Sequence, residues 1–376
     1  MIFNSLEYIL FLPLVFILFY LFRHKFRVFI LLAASYYFYI SWNPVFIILI
    51  LLSTFIDYGA GLSLERTRSK STRRLILGIS ICANLGFLFF FKYFNFALEN
   101  VNELLLAVKG SYQPIEAWDI ILPVGISFYT FQTMSYTLDV YNGKIKAEKN
   151  LSYFALYVCF FPQLVAGPIE RYNNLMPQLK EKTQLVIQNI SHGGRLILYG
   201  LFMKMVIADN LGVFVDAVYG DVAGTNSLNL LIGSVFYSFQ IYCDFHGYTT
   251  IAIGSAKLFN VSLSENFRTP YLSTSVTEFW RNWHITLTTW FRDYIYYPLG
   301  GNRGTLLKWG LAILTVFIVS GLWHGASWNF IIWGGLHGLC LSINHLWYSY
   351  KASKKIFLQN THSSMCENTR TVSKRN

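Results

Sequence analysis

The amino-acid sequence predicts an all-α, polytopic membrane protein. Of its 376 residues, 54% are hydrophobic, 18% are aromatic and only 13% are charged. A soluble domain carries roughly 25% charged residues, so this chain has too few charges to cover a water-exposed surface. Four apolar runs follow one another, at residues 8–22, 28–42, 46–62 and 75–91. Each approaches or reaches the length of about 20 residues that a helix needs to cross a bilayer.

The positive charge of the chain has the distribution of a membrane protein. The net charge of +11 comes largely from basic clusters at 23–27, 66–74 and 144–149, each placed between apolar runs. This is the pattern of cytoplasmic loops, and it argues against a nucleic-acid partner. Two spans separate the first two clusters, so both can lie inside and the N-terminus is predicted to lie outside. The first run lacks a basic leader and a cleavage site, so we expect it to stay as a span.

The middle of the sequence predicts interrupted helices. Residues 96–119 are amphipathic and are expected to lie on the outer membrane surface, whereas 120–210 contain apolar runs broken by Pro123, Pro162, Pro168 and Pro177. Broken helices persist at membrane depth only where protein or a water-filled cavity surrounds them, so this region is expected to line a cavity. A further span is predicted at 228–245, and two more, at 306–320 and 327–343, flank the sequence GLWHG.

Residues 275–297 predict an amphipathic helix at the interface or dipping toward a cavity. The pair Ser275 and Glu278 has the spacing of a capping box, and Pro298 with the glycines after it ends the pattern. At 100° per residue, Arg281 and Arg292 fall on one stripe, and His284 lies about 60° from it.

Ionisable residues within apolar sequence are candidates for function because they are costly to bury in a bilayer. His324 lies between two apolar runs and beside Trp323, where a neutral imidazole could act as a general base; a buried histidine bonded to one carbonyl is the alternative. His284 could orient a substrate or stabilise an oxyanion, or it could be an ordinary interfacial histidine.

Other ionisable residues have weaker patterns. Asp244 and His246 are two positions apart, with Tyr242 before them, so they would share one face of a strand but not of a helix. Lining of a cavity is preferred to a metal-binding pair. Asp57 and Asp139 are interpreted as solvated helix ends, with a proton relay as the alternative. His337 and His345 are interpreted as helix-packing or interface residues. No His or Cys spacing matches a zinc motif, the five cysteines contain no C-x-x-C, and no metal site is predicted.

Six stretches in order resemble the membrane-bound O-acyltransferase (MBOAT) family, most closely the branch that contains the membrane subunit of alginate O-acetylation. They are LPVGISFYTF at 122–131, FPQLVAGPI at 161–169, QIYCDFHGY at 240–248, FWRNWHITL at 279–287, WFRDYIYYPLGG at 290–301 and GLWHG at 321–325. His246 departs from the pattern, because this branch usually has a serine there.

The resemblance implies a ring of transmembrane helices around a central tunnel, with interfacial or re-entrant helices, over residues 1–347. His324 corresponds to the family's catalytic histidine and His284 to its second polar position. Arg281, Asn282, Trp323, Tyr242 and Asp244 are expected to bind substrate or line the tunnel. Relatives continue with further spans, so this chain looks C-terminally truncated, and its polar tail at 348–376 is expected to be disordered.

The resemblance also implies a reaction. No tightly bound cofactor is expected; acetyl-CoA or another acyl thioester would donate from the cytoplasm of a bacterium, across its inner membrane. The acceptor would be a secreted polysaccharide such as alginate, with a periplasmic acetyltransferase or an acyl-carrier protein as partner and membrane lipid around the chain. D-alanyl, peptidoglycan and lipid acyl transfer stay open, as do a transporter or flippase and a subunit that only anchors its partner.

Overall fold

A computed structural model describes the backbone of residues 1–372 and the side chains of residues 1–348, 350 and 351. The prediction of an all-α chain is confirmed, since no strand occurs within these described residues. The chain divides into two compact units, Met1–Phe267 and Arg268–Asn376. Each unit is described by itself below.

The first unit consists of twelve α-helices among its described residues, with a 3₁₀ turn at Pro44–Phe46 and π-turns at Phe89–Tyr93 and Phe202–Ala208. The helices are α1 Leu6–Leu21, α2 His24–Ile40, α3 Ile47–Arg66, α4 Lys70–Leu88, α5 Phe94–Lys109, α6 Ile126–Tyr141, α7 Leu151–Cys159, α8 Phe161–Leu164, α9 Tyr172–Lys180, α10 Ile187–Leu201, α11 Asp209–Gly220 and α12 Ser227–Lys257.

The described part of the second unit begins with a 3₁₀ turn at Pro270–Leu272 and continues with shorter helical pieces. These are α13 Val276–Asn282, α14 Ile285–Phe291, a π-turn at Arg292–Tyr296, α15 Leu306–His324 and α16 Trp328–Val372. Residues 373–376 of the predicted tail lie outside the described residues, and the disorder of the tail stays a prediction.

Four helical stretches within the described residues are long and apolar enough to cross a membrane: Pro44–Arg66, Lys70–Lys109, Ile187–Gly220 and Leu306–His324. The apolar helix Leu6–Leu21 is shorter. The protein is therefore a multi-pass membrane protein, as the apolar runs predict. The spans predicted at 28–42, 228–245 and 327–343 fall on α2, α12 and α16, which are not among the four.

The broken segment around Pro162 lies in the core of the first unit, where protein surrounds it, and lining of a cavity by this region stays a prediction. Phe161 and Pro162 are buried at the start of the short helix α8. The Phe161 N–H donates to Ser35 Oγ on α2 at 3.1 Å, so the backbone at this break is hydrogen-bonded. Gly125 lets the start of α6 approach the backbone of Leu164, since a Cβ at Gly125 would lie 2.7 Å from the Leu164 carbonyl oxygen.

Two pairs of glycines bring α10 and α12 into backbone contact. A Cβ at Gly193 would lie 2.7 Å from the Gly254 carbonyl oxygen, and one at Gly200 would lie 2.5 Å from that of Gly247. The same clashes occur in the reverse direction, at 2.7 and 2.8 Å. Small residues allow this packing between membrane helices, where van der Waals contact replaces a hydrophobic driving force.

The prediction that Asp57 is a solvated helix end is wrong. Asp57 on α3 is fully buried, and its carboxylate accepts hydrogen bonds from Ser80 and Asn84 on α4 and from Thr137 on α6. Asp139 is also buried, with an ion pair to Lys144 at 3.4 Å. The pattern placed Asp57 near the end of an apolar run, but the residues that cover it come from two other helices.

Candidate active site

The helix that leads to His284 begins with the predicted cap. The Ser275 hydroxyl accepts from the Glu278 N–H at 3.1 Å, which satisfies one of the free amides at the start of α13. The Glu278 carboxylate reaches back one residue further than in a standard capping box, and it accepts from the N–H and the hydroxyl of Thr274, both at 2.8 Å. This reciprocal pairing sets the direction in which α13 leaves the preceding turn.

The prediction of one continuous helix over 275–297 is wrong, because the chain breaks at His284. Helix α13 ends at Asn282, and α14 begins at Ile285. His284 has left-handed backbone angles, φ 42° and ψ 57°, which histidine adopts more readily than most residues. The predicted stripe assumed a rotation of 100° at every residue, and the left-handed backbone of His284 interrupts this regular rotation. The predicted end is correct, since helical structure stops at Tyr296.

The break turns the His284 imidazole away from solvent. Its side chain is only 2% exposed, and the ring centroid lies 6.0 Å from that of Trp323. Burial, together with the nearby His324, lowers the pKa of His284 well below its usual value. The imidazole is therefore neutral near pH 7, when one ring nitrogen donates and the other accepts. An interfacial histidine among headgroups, the alternative from the sequence, does not fit this burial.

His324 is the last residue of α15, immediately before the turn to α16. Its half-buried ring packs edge-on against Trp323 at 5.1 Å and against Trp333 at 5.2 Å. Both candidate catalytic histidines thus contact Trp323. The structure brings His284, Trp323 and His324 together within the second unit.

Three further aromatic residues, which the sequence pattern did not single out, complete this cluster. Trp333 contacts His337 at 4.7 Å, and both pack against Trp280 of α13, at 6.0 and 5.0 Å. Phe317 of α15 lies 4.9 Å from Trp280. Trp333 and His337 are one helical turn apart, and this spacing is the feature of the sequence that could have predicted their contact. The packing role expected of His337 agrees with these contacts.

Glycines hold α15 and α16 close enough for this cluster to form. A Cβ at Gly321 would collide with the Phe330 carbonyl, and a Cβ at Gly334 would collide with the Phe317 carbonyl. The two glycines face each other, since a Cβ at either would lie 3.3 Å from the other's Cα. His324 follows Gly321 on α15, and Trp333 precedes Gly334 on α16. The glycine contact therefore sets the distance between the His324 and Trp333 rings.

The remaining predicted site residues of the second unit lie at the edge of the cluster. Arg281 is exposed on α13. Asn282 ties down the preceding loop, because its carbonyl accepts from the Arg268 N–H at 3.0 Å and its side-chain amide donates to the Ser273 hydroxyl at 3.4 Å. Asn282 therefore supports the loop that begins this unit, and direct contact with substrate stays a prediction.

Tyr242 and Asp244 belong to the first unit, on helix α12. Because the segment is helical, the two side chains point about 200° apart around the axis. The Tyr242 ring stacks on His246 with centroids 5.3 Å apart, and both contact Phe267. Asp244 instead forms an ion pair with Lys204 at 2.6 Å. The Tyr242 and Asp244 side chains therefore lie in different surroundings.

The described residues contain no group of three or more His, Cys, Asp or Glu side chains that could hold a metal ion. The cluster offers two imidazoles packed against tryptophans, which can transfer a proton at a hydroxyl and donate a hydrogen bond to a developing negative charge.

Comparison with known proteins gives two results. The model of the family described as MBOAT, membrane-bound O-acyltransferase family, matches residues 147–366. Among similar proteins, the probable alginate O-acetylases AlgI of Azotobacter vinelandii and Pseudomonas aeruginosa are 39% and 40% identical over 91% of this chain, which covers 68% and 66% of their lengths. A peptidoglycan O-acetyltransferase of Helicobacter pylori is 38% identical over 86% of this chain, which covers 65% of that protein. The chain thus spans about two thirds of the length of these relatives.

Proposed function

Because the chain belongs to the membrane-bound O-acyltransferase family, we propose that it transfers an acetyl group from a thioester donor to hydroxyl groups of an extracellular polysaccharide. The names of its relatives state two such acceptors, alginate and peptidoglycan. Identity to both groups is similar, at 37–40% and 38%. Both acceptors offer a sugar hydroxyl. This hydroxyl is the feature of the substrate that the similarity supports.

In the proposed step, His324 is the general base. Its neutral imidazole takes the proton of the acceptor hydroxyl while the hydroxyl oxygen attacks the thioester carbonyl carbon. The carbon–oxygen bond forms, and the carbon–sulfur bond breaks as the tetrahedral intermediate collapses. The proton held by His324 then passes to the leaving thiolate, so the products are an O-acetyl ester and a free thiol.

His284 is proposed to stabilise the oxyanion of the tetrahedral intermediate. A neutral imidazole can donate one N–H to that oxygen, and a donor enclosed by protein is worth more than one in water. Its left-handed backbone and near-complete burial hold the ring in one place before the substrate arrives. This preorganisation removes the cost of orienting the donor during the reaction.

The observation that carries the proposal is the contact of Trp323 with both histidines, with ring centroids 6.0 Å from His284 and 5.1 Å from His324. Two imidazoles 40 positions apart in sequence are thereby enclosed by one aromatic cluster, at the end of a candidate membrane span. A purely packing role would require neither two imidazoles nor the left-handed residue that turns one of them inward.

The setting of the reaction is part of the proposal. We place the chain in the bacterial inner membrane with its N-terminus outside, because the three basic clusters then face the cytoplasm. Acetyl-CoA or another thioester would bind from the cytoplasmic side. The polysaccharide would be reached on the outer side, with a periplasmic acetyltransferase or an acyl-carrier protein as partner.

The test compares strains that lack the native gene and carry the wild-type chain, His324→Ala or His345→Ala. His345 is a matched control because it lies on α16 and stacks on Trp309 at 4.1 Å, outside the cluster. Base-labile acetate is measured on extracellular polysaccharide and on peptidoglycan, at equal membrane levels of the three proteins. We expect acetate with the wild type and the control, and its loss with His324→Ala.

Two outcomes would contradict the proposal. Acetate that is unchanged in the His324→Ala strain would remove the general-base role of His324. Acetate that is absent from both polymers in the wild-type strain would contradict O-acetylation of an extracellular glycan as the function of this chain.

A further inference from the structure

A long apolar groove lies between α1 and α2 in the first unit, and the proposed reaction does not use it. Its volume is about 620 Å³, and its lining is almost entirely apolar. Lining residues recur every three or four positions on each helix, so one face of each helix forms one wall. These residues include Leu10, Leu14 and Leu18 on α1 and Ile30, Ala33 and Tyr37 on α2.

Small side chains create the recess in α2. Ala33 and Ala34 lie about one helical turn from Ile30 in one direction and from Tyr37 in the other, and all four line the groove. The two alanines leave a space that the larger side chains close at either end. Ala34 is 9% exposed and forms part of the floor, whereas Ala33 is exposed at the edge. The recess is therefore a property of the α2 sequence and does not depend on the conformation of a long side chain.

The groove has the length of one lipid acyl chain. Its lining on α1 runs from Glu7 to Leu18, which is about 16 Å along a helix. The hydrocarbon core of a bilayer is about 30 Å thick, so each leaflet contributes roughly half of that length. A helix is about 10 Å across, so a helix of this length has roughly twice the volume of the groove and could place only side chains in it. An acyl chain is narrower, and the groove can take it whole.

One end of the groove carries a carboxylate. Glu7 is the charged side chain of the lining, and it lies in the first turn of α1. The helix dipole favours a carboxylate there, but the dipole does not require it to face the groove. Within the described residues, no lysine, arginine or histidine side chain forms an ion pair with Glu7. Tyr37 lies near the same end, because its ring stacks on Phe11 at 6.0 Å, and tyrosine is typical of the headgroup level of a bilayer.

We propose that the groove binds one acyl chain of an ethanolamine phospholipid, whose ammonium donates a hydrogen bond to the Glu7 carboxylate. A carboxylate is an acceptor only, so it selects a headgroup that has an N–H to donate. The quaternary ammonium of a choline lipid has none, and an anionic glycerol lipid brings a net charge of the same sign as Glu7. Under the topology proposed above, the lipid belongs to the outer leaflet. The site is independent of the proposed acetyl transfer.

The length of α1 gives the bound lipid a structural effect. Helix α1 has 16 residues and is about 24 Å long, which is less than the hydrocarbon thickness of about 30 Å. A bilayer adapts to a short helix by becoming thinner around it, at a modest cost per Å. A lipid held at Glu7 fixes the level of the headgroups at that end of α1. Because the lipid binds the folded chain, we expect it to raise the stability of the protein.

The test measures the lipid that the purified full-length chain retains. Protein stripped of lipid in detergent is mixed with synthetic phospholipids that have identical acyl chains and an ethanolamine, choline or glycerol headgroup, and bound lipid is counted by native mass spectrometry. We expect the ethanolamine lipid to bind about three- to tenfold more tightly than the other two, the range for a charge-assisted hydrogen bond at an exposed site. The same lipid is expected to raise the unfolding temperature most.

Two variants separate the acyl-chain part of the site from the headgroup part. Ala33→Leu fills the groove from an exposed position, so it is expected to lower the retention of all three lipids. Glu7→Gln removes the charge and is expected to abolish the preference for the ethanolamine lipid while an acyl chain still binds. Ala107→Leu and Glu103→Gln are the matched controls, because they make the same changes at exposed positions of α5 outside the groove.

Three outcomes would overturn the inference. Equal retention of the three lipids by the wild type, or an unchanged preference in Glu7→Gln, would remove the headgroup contact. Retention that Ala33→Leu does not lower would remove the groove as the binding site. Loss of association between protein chains in Ala33→Leu, with lipid retention unchanged, would assign the groove to a partner helix instead. None of these readouts involves catalysis, so they stand or fall separately from the proposed acetyl transfer.

Discussion

Substitution of Gly334 by alanine tests whether the contact between α15 and α16 positions the aromatic cluster. A Cβ at Gly334 would collide with the Phe317 carbonyl and lie 3.3 Å from the Gly321 Cα. A Cβ at the adjacent Gly335 would have no atom within 4 Å. The two substitutions are chemically identical and differ by one position, so their comparison isolates the helix contact.

The expected change in stability follows from two opposing effects. Alanine in place of glycine within a helix stabilises the folded state by roughly 0.5–1 kcal/mol. Forcing a methyl group against a rigid backbone costs typically 1–3 kcal/mol, because the helices must move apart. Gly335→Ala is therefore expected to be neutral or slightly stabilising. Gly334→Ala is expected to lose about 1 kcal/mol, from the midpoints of the two effects, whose difference spans roughly 0–2.5 kcal/mol.

The effect on activity follows from the neighbours of Gly334. Trp333 precedes it on α16, and the Trp333 ring lies 5.2 Å from that of His324 on α15. Separation of the helices moves this ring away from the histidine, and a displacement of 1 Å in a catalytic site can cost about a hundredfold in rate. We therefore expect Gly334→Ala to lower acetyl transfer per folded molecule, while Gly335→Ala retains it.

The assay combines thermal unfolding of the detergent-solubilised protein with acetyl transfer, normalised to folded protein. Equal stability and equal activity of the two variants would refute the reasoning, because the helix contact would then tolerate a methyl group at either position. A stability loss in Gly334→Ala without any loss of activity would show that the contact holds the fold but does not position His324.

Two further predictions concern buried polar groups. Asp57→Ala removes an acceptor shared by Ser80, Asn84 and Thr137, of which Asn84 and Thr137 keep backbone carbonyl acceptors; the loss is about 1–3 kcal/mol for the Ser80 hydroxyl, so we expect a lower unfolding temperature, and an unchanged midpoint would show that water replaces the carboxylate. His284 has a lowered pKa in the folded state, so the unfolded chain binds more protons below about pH 6.5 and stability should fall there as the pH drops, by at most about 1.4 kcal/mol per pH unit. His284→Asn, which tolerates the left-handed backbone but does not titrate, should flatten this acid limb of the unfolding profile; parallel profiles would contradict the assignment.

The sequence by itself determined the class of the protein and much of its local structure. Few charges and repeated apolar runs are consequences of the bilayer, which requires apolar side chains and internally bonded backbone wherever lipid is in contact. The cap at Ser275 and Glu278 also followed from local rules. His324 and His284 were identifiable because polar residues are rare in such surroundings.

Only the tertiary structure decided how these residues are arranged. Periodicity assumes a constant rotation per residue, and it fails where a left-handed residue such as His284 or a π-turn such as that after Lys204 changes the rotation. Burial of Asp57 depends on a helix 80 positions later in the sequence, and the contact between His284 and Trp323 joins residues that are 39 positions apart. The glycine pair Gly321 and Gly334 lets two helix backbones meet, and which helix lies opposite a glycine cannot be derived from local sequence.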